Sequence, residues 1–145
     1  MITFLFLAAA GAALPPADPP PWLTVIGEIG NAAVNTIQVN PVPLKSSGTL
    51  KTMRVRVSRS AQRTSWDGVF YRSYESTVVF DCAQRTARYD RIDYHLQPFW
   101  KGPAERSVGY LKGEPRWMQF REVEPNPNAR IIAAACAPSP GVARE

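Results

Sequence analysis

Few side chains in this sequence are of a type that does chemistry, and their spacing narrows the chemistry open to them. There is one histidine, His95, and there are two cysteines, Cys82 and Cys136. A structural zinc site takes about four Cys or His ligands, commonly with C-x-x-C spacing. Three such residues without that spacing fall short of it, so metal binding is the weaker reading of the cysteines. Asp81, Asp90 and Asp93 lie close together, and paired carboxylates can do acid–base work. Arg85, Arg88 and Arg91 are interleaved with them, which favours ordinary surface ion pairing. The sequence has no G-x-S-x-G nucleophile elbow and no glycine-rich phosphate loop. His95 reads as a surface or hydrogen-bonded strand residue. The sequence thus points away from an enzyme and predicts no catalytic residue, no metal and no cofactor.

The chemistry that remains is charge. Four lysines and thirteen arginines face twelve acids, giving a net charge of +5 and a pI near 9.6. Such a surface draws anionic partners, and arginine adds planar bidentate contacts to carboxylate, sulfate and phosphate. From Lys45 to Arg63 there are six basic residues and no acid. Within that run, Lys51, Arg54, Arg56, Arg59 and Arg63 are the candidate anionic-ligand residues. If residues 50–58 form a strand, Arg54 and Arg56 project from one face, roughly 7 Å apart. The competing reading is a solvated edge strand, charged against aggregation.

The first residues bear on compartment. Ile2 to Leu14 carry no charge, the length of a signal-peptide apolar region and short of the roughly 20 residues that span a bilayer. Small residues allow cleavage after Ala13, although no Lys or Arg precedes the apolar run. The expected organisation is a signal peptide at 1–13, a proline-rich spacer at 14–21 and a folded domain at 22–137. A flexible tail at 138–145 completes it, with no transmembrane segment after cleavage. Export makes nucleic acid an unexpected partner. In an oxidising compartment an even cysteine count suggests a disulfide. A Cys82–Cys136 bridge would close a loop of about 55 residues, worth roughly 4 kcal/mol on chain-entropy grounds.

The positioning elements read mainly as strands. Fourteen prolines argue against long helices. Strand signals fall at Trp22–Gly30, Val34–Asn40, Thr49–Arg59, Val69–Cys82, Ala87–Leu96 and Arg116–Val123. In the third, Met53, Val55 and Val57 alternate with Arg54, Arg56 and Ser58. Asp67-Gly68 marks a turn between strands. "PVPLKSSG" and "PFWKGPAERSVGY" read as loops. "NPNARIIAAACA", residues 126–137, reads as a short helix, with Asn126 as cap and Pro127 in its first turn. The predicted class is α+β: a single antiparallel sheet of about five to six strands, a short C-terminal helix packed on it, and one disulfide.

An exported leader precedes "WLTVIG", "NTIQVN", the basic "MRVRV" strand and "DGVFYRSYESTVVFDCAQR" with its Asp-Cys pair. The tryptophan of "RWMQF" and the last cysteine in "IIAAACA" complete the set, over Trp22 to Ala137. In these features the chain resembles the surface-adhesin protein E-like family of small exported proteins of Gram-negative bacteria. The resemblance implies a small antiparallel sheet backed by a C-terminal helix, with Cys82 bonded to Cys136. It also implies an envelope-associated adhesin whose partners are host extracellular-matrix or serum proteins, and the basic run adds anionic glycans as candidate partners of an envelope or secreted protein. Adhesive members of the family are lipid-anchored, and no cysteine stands near this leader. The alternative expectation is a periplasmic structural or accessory protein with no host ligand.

Overall fold

The computed structural model describes residues 22–138. The expected signal peptide, the proline-rich spacer and all but the first residue of the tail lie outside the described residues.

Eight strands and one helix follow in chain order: β1 (Leu23–Ile26), β2 (Thr36–Val39), β3 (Lys45–Ser47), β4 (Leu50–Thr64), β5 (Phe70–Asp81), β6 (Thr86–His95), β7 (Arg106–Gly109), β8 (Arg116–Trp117) and α1 (Asn128–Cys136). The strands form one antiparallel sheet in the order β1-β2-β4-β5-β6-β7. β3 pairs with the start of β4, and β8 pairs with β6. The expected class holds, with eight strands in place of five or six. The added strands, β3 and β7, are three and four residues long and lie in the segments read as loops. Strands this short leave almost no alternation to detect. They form because β4 and β6 have edge groups that need partners. At the other end, only Arg116–Trp117 of the expected last strand pairs in the sheet. Beyond it Met118 and Phe120 still turn inward.

β4, β5 and β6 form the centre. Their period-two pattern puts Met53, Val55, Val57, Tyr74, Val78, Phe80, Tyr89 and Ile92 on one buried face. α1 closes that face with Ile131, Ile132 and Ala135, and Met118, Phe120 and Val123 fill the space beside it. The helix begins one residue later than expected. Pro127 occupies the cap position, and the Asn126 side chain accepts from the Asn128 amide at 2.9 Å. The last turn of α1 is bonded to the end of β5 through Cys82–Cys136, with the two Cα atoms 5.7 Å apart.

Two turns behave as their residues require. Gly68, at φ +75°, closes the β4–β5 hairpin next to Asp67. At the β5–β6 hairpin, Asp81 accepts from the amides of Ala83 and Gln84.

Candidate functional site

The outer face of the sheet carries polar side chains in register. Thr24, Gln38, Arg56, Glu75, Asp93 and Ser107 are cross-strand neighbours running from β1 to β7. Gln38 donates to Thr24 at 3.0 Å and accepts from Nε of Arg56 at 2.7 Å. The Arg56 guanidinium lies between two indoles, 4.0 Å from the ring centre of Trp22 and 4.1 Å from that of Trp100. Burial lowers its pKa and Glu75 opposes the shift. Stacking of this kind suits the flat guanidinium better than it suits a lysine ammonium.

Trp100 is fixed by the sheet beneath it. Its indole N–H lies 2.8 Å from the Tyr74 carbonyl and 3.2 Å from that of Val57. The buried pair Ser58 and Ser73 accepts from the Phe99 and Trp100 amides, and Ser73 donates to the Gln97 carbonyl. These bonds hold Phe99 and Trp100 in left-handed backbone, φ 52° and 60°, an uncommon conformation for bulky residues. Next to this platform a groove of about 370 Å³ runs over Trp22, Arg54, Thr77 and Arg91, with the carboxylates of Glu75 and Asp93 also in its lining. Arg54 is exposed and makes no ion pair among the described residues.

The inner face holds a second basic group beyond the end of the apolar core. Three extra residues of β4, Ser60 to Gln62, bulge between the Ser58–Ser73 and Arg63–Tyr71 pairs. Arg72 satisfies the bulge by donating to the carbonyls of Arg59, Ser60 and Ala32. Arg59 points inward, 4% exposed, and donates to the Arg121 carbonyl at 3.1 Å. Arg63 pairs with Glu122 at 2.8 Å. Glu122 is held below the usual carboxylate range, chiefly by that hydrogen bond.

The five candidate basic residues therefore do not form one patch. Arg54 and Arg56 share the outer face, and Arg56 is tied into the aromatic stack. Arg59 and Arg63 belong to the inner group. Lys51 is the cross-strand neighbour of Phe80, half-buried at the far end of β4. Charge density along the chain grouped them, whereas strand parity divides them. Sequence reasoning missed Arg72, Arg91 and Arg116, Trp22 and Trp100 as parts of these two faces. Only the parity of β4 was available as a signal, and it placed Arg59 beside Val57.

Of the expected acid–arginine pairs, Arg91–Asp93 forms at 3.0 Å. Asp81 is used in its turn, and Asp90 accepts only a long bond from Thr77. His95 departs from expectation: it is buried, with no hydrogen bond to either ring nitrogen, 3.9 Å from Glu75. The 97–100 turn folds over this end of the sheet and covers it.

The sheet has one face closed by a disulfide-tied helix and the other polar, covered at one end by the 97–100 turn. The family model described as surface-adhesin protein E matches residues 22–137, and the chain belongs to that family. No curated protein and no solved structure gives a significant match. Membership makes this an adhesin-like protein, exported or at the cell surface, and points away from catalysis. No helix among the described residues is long and apolar enough to cross a membrane.

Proposed function

We propose that this protein is a non-enzymatic exported adhesin that binds host matrix or serum proteins, or anionic glycans, through the open outer face of its sheet. The observation that carries the reading is Arg54: an exposed guanidinium with no ion pair among the described residues, beside a groove that also holds Trp22 and where Arg91 is already paired with Asp93. Cation and aromatic together suit a sulfated chain or an acidic protein surface. In this reading residues 1–13 direct export and 14–21 space the domain from what precedes it.

Charge reversal at Arg54 is the direct test, because Arg56 is built into the fold and Arg54 is not. Arg54→Glu is expected to weaken binding to immobilised sulfated glycan by about three- to tenfold. It should also flatten the salt dependence. Unchanged affinity and salt dependence would remove the outer face from the proposal. On intact cells, added protease is expected to digest the protein while a periplasmic marker survives. Protection until the outer membrane is permeabilised would support the periplasmic accessory reading instead.

A further inference from the structure

The inner basic group surrounds a cavity of about 170 Å³ that the outer-face reading does not use. Its floor is aromatic. The rings of Tyr71 and Tyr94 lie 5.2 Å apart, those of Tyr71 and Tyr74 5.6 Å, and those of Tyr74 and Tyr89 6.0 Å. Its walls are cationic, from Arg59, Arg63, Arg116 and Arg121, and no carboxylate lines it. Trp66 stands at its edge, 69% exposed, with the Arg116 guanidinium 4.6 Å from its ring centre.

The hydrogen-bond accounting is one-sided. Among the described residues, two side-chain atoms of the cavity lining are buried without a partner: Nε of Arg59 and Nε of Arg116. Both are donors. The Tyr74 and Tyr89 hydroxyls meet at 2.6 Å, so one hydrogen serves that bond and the other is left over. Burial raises the pKa of both phenols, so both keep their hydrogens at neutral pH. Three donors thus lack an acceptor in one small space.

The charge accounting agrees. A buried guanidinium is costly unless an anion offsets it, and Arg59 makes no ion pair among the described residues. Two acids adjoin the group and both are engaged. Glu122 is exposed and holds Arg63, and Asp67 accepts from the hydroxyls of Tyr94 and Tyr110. A partner for these donors would be compact, negative and rich in acceptors. The cavity has the liquid volume of roughly five or six waters and is smaller than the usual pocket for a drug-sized ligand. It can take a head group and not a polymer segment.

We propose that this cavity binds one tetrahedral oxyanion, the sulfate or phosphate group of a larger molecule, between the guanidinium groups of Arg59 and Arg116. The Tyr74–Tyr89 pair supplies a third donor from the floor. Trp66 stands where the remainder of the molecule leaves the cavity. The site lies on the opposite face from Arg54, so each can fail without the other.

Calorimetric titration of the disulfide-bonded protein with inorganic sulfate and phosphate, against sodium chloride at equal ionic strength, tests the proposal. Phenyl sulfate and phenyl phosphate form the second pair of probes and distinguish the two sources. The expected result is saturable one-to-one binding of an oxyanion, absent for chloride, together with a rise in Tm. Arg116→Gln and Arg59→Gln are each expected to weaken it about tenfold or more, since each removes charge-assisted bonds. Arg54→Glu should leave it unchanged. If Arg59→Gln does not fold, Arg116→Gln decides. No saturable response beyond that of chloride would overturn the proposal. So would wild-type affinity in Arg116→Gln.

Discussion

Replacing Cys82 and Cys136 together with alanine is expected to lower stability by about 4 kcal/mol. The two cysteines are 54 positions apart, and freeing a loop of that length returns entropy to the unfolded chain. Typical domains are stable by only about 5–15 kcal/mol, so the loss is a large share of the total. It falls on a vulnerable element. α1 has nine residues, and its cap position is a proline with no side-chain hydrogen bond. An isolated helix of that length is marginal in water. Its burial of Ile131, Ile132 and Ala135 on the sheet has to hold it once the bond is gone. Urea unfolding of the oxidised protein and the double variant measures the difference. Unfolding free energies within about 0.5 kcal/mol of each other would show that packing alone secures the helix.

Phe80→Ala is expected to cost about 3–5 kcal/mol. Phe80 is fully buried on β5 and is among the largest side chains in the core. Its neighbour across β6 is Ala87, a side chain too short to fill the space the ring leaves. Phe70 begins the same strand and is 62% exposed. Phe70→Ala should stay within about 0.5 kcal/mol of wild type. Similar losses at both positions would mean that β5 is sensitive to any truncation and not to burial. Phe80 and Cys82 lie two residues apart on one face of the chain, so these two largest effects should couple and not add.

The central strands were legible because they are long. Alternation over β4 sorts Met53, Val55 and Val57 from Arg54 and Arg56, and that division stands in the fold. The same rule, continued two residues, turns Arg59 inward with Val57. Counting cations along the run set parity aside and assigned Arg59 to the wrong neighbours. The edge strands were illegible for a different reason. Lys45–Ser47 and Arg106–Gly109 are strands only because β4 and β6 offer unpaired edges. The partners of Arg56 could not be read at all. Trp22 lies 34 positions before it and Trp100 lies 44 after, and nothing local to any of them records that they meet. Trp100 also depends on an uncommon backbone conformation, which its own residue type does not favour.

The bond between Cys82 and Cys136 also sets how the domain would respond to being pulled. Tension applied at Trp22 and Ala137 crosses from β5 to α1 through the sulfur atoms. The intervening segment carries β6, β7, β8 and nearly all of α1, and the force bypasses it. With the bond closed, only β1 to β5 can be drawn out. With it reduced, the chain gains on the order of 180 Å of extensible length at about 3.4 Å per residue. The redox state of one bond therefore sets how far the domain can stretch before it is fully extended.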